Sequence, residues 1–584
     1  MSWFPGSEIF RHRLGMALLG GLAFSALWAL TEAEGLRDSA PGLFLLLIAG
    51  LSCWSAVSLA ISGPVSLSRS MVGALVLAVP VAGLMRLAGL RALVPTDVLE
   101  SPGVLAVFLL MVFVATPFLA VRLQGRGPWL SYPALFETAW AITIRFAAGM
   151  LFAGVVWGVL LLSDALLGIV GIDLIGGLLD IDGVPALVSG AALGLGIAVI
   201  HELREVVSPL LVLRLFRLLV WPVLIVVGVF LVAVPVQGLS GLVGSLSPAA
   251  TLMGVALGAV TLITSAVGRA DDEAMEAELG PRLLALAVPV VAGLAVLAVV
   301  LRVSQYGWTP DRVMAATVAG VTLLYGLAYG AAALRGAGRW RAPLRRANVV
   351  LALLVIAVCA AWLTPLLDAG RLSARSQVAR FADGRSTLDQ LPLDRMVRDW
   401  GKAGHDALDR LEAMTEHPDH DALVREIEAA RRKPTLRQAT TDAVDLDPIA
   451  LARDLAQWVP VRPDGQLDPD ALARVQLYWL SDWHVRCRPL EDGPPPCVFV
   501  HGRFVADLPA KDQGLLVLPY GPNQLLAQHL RWPTAEITTI ETSDALPEDA
   551  VARILDGDFA LAPVQTEALE LGGQVFGPGL RQPE

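Results

Sequence analysis

Through the first two thirds of the chain, apolar residues come in long unbroken runs rather than in alternation. A bilayer hydrocarbon core about 30 Å thick needs roughly 20 apolar residues in a helix, and a backbone polar group left unpaired there costs several kcal/mol. Eleven runs approach that length with at most one charge: 14–30, 42–62, 71–90, 103–121, 138–162, 183–200, 218–236, 248–267, 283–301, 313–334 and 349–366. The first run follows Arg11 and Arg13 and precedes Ala33, the pattern of a signal peptide, but ten further spans favour a retained first helix. After residue 366 the pattern changes. Apolar positions recur every three or four residues over 373–381, 393–414 and 420–432, which predicts amphipathic helices, with Pro418 and Asp419 at a helix start. Further on, 475–483, 497–504, 514–519 and 535–540 read as strands, with a short helix after Asp468. The expected fold is an all-α polytopic membrane protein of about 11 transmembrane helices with a C-terminal extracytoplasmic α+β domain. Its domains are a transmembrane part, 1–366, and a soluble part, 367–584, helical over 367–435 and α+β over 436–584.

Composition agrees: 55% hydrophobic and 17% charged residues, at a mean hydropathy of +0.62, is not the balance of soluble domains. Charge divides unevenly, because residues 371–584 carry 23 of the 44 Lys and Arg but 34 of the 54 Asp and Glu. The membrane part is near neutral and the tail acidic, which excludes a basic nucleic-acid-binding protein. With the N-terminus in the cytoplasm, the inner loops receive Arg11, Arg13, Arg69, Arg122, Arg126, Arg204, Arg214, Arg217, Arg269, Arg282 and the group from Arg335 to Arg346. The outer loops receive only Arg37, Arg91, Arg302 and Arg312. That asymmetry follows the positive-inside bias, and an odd number of spans then places everything after Leu366 outside the cytoplasm.

Cysteine usage bears on the same point. Cys53 and Cys359 lie inside spans and read as buried thiols. Cys487 and Cys497 flank a proline-rich turn between two strand-like runs, which reads as a hairpin-closing disulfide, two unpaired thiols being the alternative. Disulfides persist in oxidising compartments, in keeping with an exported tail.

Ionisable groups inside spans are the first functional suspects in a membrane protein. Arg145 shares a helical face with Thr138, Gly149 and Phe152, the glycine allowing a neighbouring helix to approach; the competing reading is a side chain snorkelling to the inner interface. Arg86, near the outer end of the third span, has the same competing reading. His201-Glu202-Leu203-Arg204-Glu205 has Glu where a zinc motif needs its second His, so it reads as a charged turn. The segment 163–182, with Asp164, Asp173, Asp180 and Asp182, suits a helix lying along or re-entering the outer interface. Glu32, Glu34 and Asp38 occupy the first outer loop, and His417 with His420 resembles half a metal site at a helix start. Asp464, Asp468 and Asp470 lack the spacing of a calcium loop and read as a turn before a capped helix. No metal or other cofactor is expected.

The most individual segment is Gln305-Tyr306-Gly307-Trp308-Thr309-Pro310-Asp311-Arg312. Tyr306 and Trp308 suit an interface, Thr309 before Pro310 is a helix N-cap, and Asp311 adds a favourable charge at the helix start. This Tyr-Gly-x-Thr-x-x-Arg signature opens a late span, followed by an arginine-rich inner loop, a last span and an outer tail. It resembles a bacterial inner-membrane family catalogued as domain of unknown function 4153. The resemblance rests on Tyr306, Gly307, Thr309 and Arg312 and implies an inner-membrane protein without an assigned activity. The candidate functional residues are therefore Tyr306, Gly307, Thr309, Arg312 and Arg145. The expected function is a non-enzymatic envelope protein whose periplasmic domain senses conditions or meets a protein partner, with membrane lipids as the other contact. A secondary transporter or channel, suggested by Arg145 and the glycine-rich stretch 238–244, and a transferase acting on lipid-linked substrates are the alternatives.

Overall fold

The computed structural model describes residues 5–125, 127–170, 172–202, 209–237, 247–268, 279–432, 448–463, 465–489, 494–505, 508–521, 524–532, 536–540, 547, 549–561, 569–571 and 574–576. The expected stretch 238–244 and residues 203–205 lie outside these. Two compact units divide at Ile427/Glu428.

Among the described residues, the first unit has eleven helices long and apolar enough to cross a membrane. They are α1 (Pro5–Thr31), α3 (Pro41–Ile61), α4 (Leu67–Gly89), α5 (Pro102–Gln124), α6 (Tyr132–Ile169), α8 (Val184–Glu202), α9 (Pro209–Gln237), α10 (Pro248–Val267), α11 (Leu279–Tyr306), α12 (Pro310–Ala333) and α13 (Arg341–Trp362). Short helices α2 (Glu34–Ser39) and α7 (Leu174–Leu179) lie in connections. Proline in the first turn starts α3, α5, α6, α10 and α12, where its missing N–H is one of the donors a helix leaves unpaired anyway. Where the sequence suggests one interfacial segment at 163–182, α6 instead runs on to Ile169 and α7 follows a turn.

Helix packing uses small residues, because lipid tails supply no hydrophobic drive for one apolar helix to prefer another. A methyl group on Gly20 would lie 2.1 Å from the carbonyl oxygen of Gly190, and one on Gly194 would lie 2.1 Å from that of Met16. Helices α1 and α8 thus meet backbone to backbone. Gly149 of α6 likewise receives Ile197 of α8. One apolar core joins α9 to α13 and holds Tyr329, Trp340 and Ile263. A second joins α3, α4 and α5 around Leu45, Val81 and Phe108. In the first core the Tyr329 hydroxyl donates to Asn348 Oδ1 at 2.6 Å and lies 2.7 Å from Thr264 Oγ1, so one polar contact joins α10, α12 and α13.

Helices α14 (Ala369–Ala382), α15 (Leu393–Arg398), α16 (Gly401–Glu412) and α17 (His420–Arg432) follow the last span. The compact unit that holds the spans continues past residue 366 to Ile427: α14 packs on α12, and the Lys402 N–H at the start of α16 donates to the Arg91 carbonyl just past α4. Expected as one helix, 393–414 is two, parted before Gly401.

The second unit is α+β. Helices α18 (Pro448–Trp458), α19 (Pro469–Leu472), α20 (Leu477–Arg486) and α21 (Ala550–Leu555) accompany a sheet of β1 (Val461–Arg462), β2 (Val498–His501), β3 (Gln513–Gly521), β4 (Gln524–Arg531) and β5 (Glu536–Ile540), in that spatial order. Among the described strands of this sheet, only the β1–β2 pair is parallel. A separate hairpin pairs β6 (Leu569–Leu571) with β7 (Gln574–Phe576). Leu451, Leu455, Leu480, Trp483, Phe499 and Leu518 fill the core. The expected strand at 475–483 is helix α20 instead. The buried apolar residues Leu480 and Trp483 on it and Cys487 just past its end follow one another at helical spacing, and Trp483 Nε1 donates to Gln528 Oε1 on β4 at 2.7 Å. Cys487 is bonded to Cys497. The disulfide therefore ties a helix end to β2 rather than closing a hairpin.

Candidate functional site

An α-helix leaves its last carbonyls without intrahelical partners, and these carry the negative end of the helix dipole. Near a membrane, where water is scarce, a fixed cationic donor is an effective partner, and a planar guanidinium reaches two carbonyls at once. This protein does so repeatedly. Arg145, in the first half of α6 and only 6% exposed, donates from Nη1 to the carbonyl of Ser62 at 2.9 Å and from Nη2 to that of Ala60 at 2.9 Å. Its Nε donates to Ala141 in its own helix at 3.1 Å. The side chain is buried against the C-terminal end of α3 and holds α3 to α6.

The same arrangement recurs at other spans. Arg345, also buried, donates to Val267 at the end of α10 at 3.1 Å, and Arg282 donates to Ala333 at the end of α12 at 3.0 Å. Arg91 holds the end of α13 through Trp362 at 2.9 Å and Leu367 at 3.2 Å. Burial lowers the Arg91 pKa from its ordinary value, and nearby Asp368 acts the other way. Lys402 Nζ donates to Leu90, just past α4, at 2.9 Å.

The segment from Tyr306 to Arg312 is the most developed of these ends. Gly307 has φ +73°, a left-handed conformation that ends α11, and a methyl group there would lie 2.6 Å from Arg380 Cδ and 2.9 Å from Gln377 Nε2. Gln377 of α14 donates to the carbonyls of Tyr306 at 3.0 Å and Trp308 at 2.8 Å, while the Trp308 N–H donates to Ser376 Oγ at 3.1 Å. Arg380 donates to the carbonyls of Ser304 at 3.2 Å and Gln305 at 2.6 Å. Arg312 donates to Tyr306 at 3.2 Å and Gly307 at 2.8 Å, and its guanidinium lies 5.4 Å from the Tyr306 ring centre. Thr309 is the N-cap of α12, its Oγ1 accepting from the Arg312 N–H at 3.4 Å. The acid of the segment, Asp311, pairs with Arg395 at 2.8 Å. These residues form a clasp between α11, α12 and α14. Asp311 carries the ion pair of this segment, while the Arg312 guanidinium is engaged with carbonyls.

Removing the Arg312 guanidinium is expected to lower the stability of this clasp by roughly 1–2 kcal/mol, the worth of a charge-assisted hydrogen bond discounted for partial exposure. Thr309→Ala should cost about 1 kcal/mol through the lost cap. Melting in detergent checks both: a melting temperature unchanged in Arg312→Ala would leave the clasp without energetic weight.

Other sequence candidates are placed as follows. Arg86 is half-buried over Gly42 at the start of α3, and His201 lies over Gly63 in the turn after α3. Asp164 and Asp173 flank Gly176, and Arg37 lies 3.8 Å from Glu100. His417 stacks on Phe381 at 4.3 Å and accepts from the Asp419 N–H, and Asp468 caps α19. Among the described residues no group of three or more His, Cys, Asp or Glu side chains is placed to hold a metal ion. Arg345, Arg282, Arg91 and Gln377 were missed in the sequence. Residues 1–370 contain arginine and no lysine, the one available signal, but arginine outnumbers lysine through the whole chain, so residue type alone does not single them out. Compared with known proteins, the chain matches no family model, no curated protein and no solved structure.

Proposed function

We propose that this chain is an anchor and platform of the bacterial inner membrane, which holds its α+β unit outside the cytoplasm to sense envelope conditions or meet a protein partner, without turnover of its own. The observation that carries the reading is the use of the guanidinium groups. Those of Arg145, Arg345, Arg282 and Arg91, which in a transporter would be suspects for a substrate path, are engaged with helix-end carbonyls. That use favours a braced body over one that rocks between states. The Cys487–Cys497 disulfide supports an oxidising compartment for the second unit, and the arginine asymmetry between loops supports a cytoplasmic N-terminus. Kinship with the domain of unknown function 4153 family is part of the proposal, and the clasp gives its Tyr-Gly-x-Thr-x-x-Arg signature a structural reason.

The test is a chain ending at Ile427. Under this reading it inserts at the level of the full chain but does not restore the phenotype of a strain lacking the protein. Restoration by the shortened chain would overturn the reading, because the membrane body would then suffice.

A further inference from the structure

A cleft of about 250 Å³ opens where the end of α4, the start of α14 and the middle of α16 meet. Five cations line it: Arg91, Arg371, Arg375, Lys402 and Arg410. Two acids, Asp368 and Asp406, offset them only in part. Arg91 and Lys402 are already engaged with backbone carbonyls. Arg371, Arg375 and Arg410 are exposed, and their guanidinium groups make no hydrogen bond or ion pair to any described residue. Arg371 and Arg375 stand four residues apart on one face of α14, where like charges repel by a few tenths of a kcal/mol, and Arg410 faces the same cleft from α16. A fold that gathers three unengaged guanidinium groups at one opening is completed by an anion, and their planar forks suit phosphate oxygens.

The surroundings say which kind of phosphate. Leu90 on the cleft wall follows directly on span α4, and α14 begins seven residues after span α13 ends at Trp362. The cleft therefore lies within a turn or two of the bilayer boundary. In the chain next to the lining residues Asp368 and Arg371, Leu366 is 84% and Leu372 44% exposed, apolar surface that suits the acyl and glycerol region of a lipid. We propose that this cleft binds the phosphate of an anionic lipid headgroup through Arg371, Arg375 and Arg410, with the exposed leucines against the lipid's apolar part.

The experiment uses the full chain purified in detergent, with native mass spectrometry and melting on titration with dioleoylphosphatidylglycerol. Dioleoylphosphatidylcholine serves as a zwitterionic control, and inorganic phosphate and glycerol 3-phosphate as soluble competitors. The wild type should retain phosphatidylglycerol at least tenfold better than the Arg371→Gln, Arg375→Gln, Arg410→Gln triple variant, with phosphatidylcholine retention equal in both. A triple Lys variant should recover part of the difference, and equal melting of all three proteins in phosphatidylcholine micelles shows that each is folded. If the Gln variant melts lower there, the comparison is made with Arg410→Gln alone, for which a threefold or greater loss is expected. Equal phosphatidylglycerol retention by folded wild type and variant would overturn the proposal. So would inorganic phosphate displacing the lipid at equal concentration, because the site would then be one for free phosphate.

Discussion

Arg145→Leu is expected to lower the stability of the membrane unit by roughly 3 kcal/mol or more, the sum of two charge-assisted hydrogen bonds at about 1.5–3 kcal/mol each, less what the end of α3 recovers by relaxing. The size follows from the setting. The carbonyls of Ala60 and Ser62 face a buried guanidinium, so its removal leaves them without water to turn to. Lysine at 145 should recover less than half, because a point charge does not span two carbonyls as a fork does. Cys53 and Cys359 are buried in the same core, Cys53 on α3, the helix that Arg145 holds, and Cys359 on α13. Thiol alkylation in detergent should speed up at Cys53 in Arg145→Leu well before it does at Cys359, alongside a lower melting temperature. Unchanged protection of Cys53 with an unchanged melting temperature would mean that Arg145 does not brace α3.

The second large effect belongs to the α+β unit. Cys487 and Cys497 are ten residues apart and fully buried, and closing a loop of that length restricts the unfolded chain by about 3 kcal/mol. Replacing both with Ala, which avoids placing hydroxyls in the core, should lower the unfolding free energy of this unit by that amount, read as a lower denaturation midpoint at unchanged slope. In native membranes both thiols should resist alkylation until reductant is added. Mass spectrometry finding both free before reduction would remove the bond and, with it, one support for an oxidising compartment.

What the sequence made legible follows from range. A membrane span is written in about 20 consecutive residues, so all eleven could be read locally, with Arg11 and Arg13 leading into the first. The N-cap at Thr309 and the capped helix after Asp468 are equally local. The partner of Arg145 could not be read, because a helix-end carbonyl carries no side-chain signature and lies 83 residues away. The clasp was half visible: Gly307 and Thr309 announced a helix end and a helix start, while Gln377 and Arg380 sit some 70 residues further on. Two features that local pattern does not show have the same origin. Val475, Leu477 and Trp479 alternate like a strand, but tertiary packing chose the period of Leu480, Trp483 and Cys487. The amphipathic helices after residue 366 look like those of any soluble domain, and only the opposing surface reveals that α14 covers the ends of spans.

The side of the membrane on which the chain after α13 lies tests the anchor reading most directly. Paired cytoplasmic and periplasmic reporters should be fused after Arg346 and, separately, after Gly370, in the intact upstream chain. The positive group from Arg335 to Arg346 runs into the first turns of one span, α13, so a cytoplasmic signal is expected from the first fusion and a periplasmic signal from the second. A cytoplasmic signal from both would contradict it, placing the disulfide-bearing unit in a reducing compartment and leaving no exported domain for the membrane body to carry.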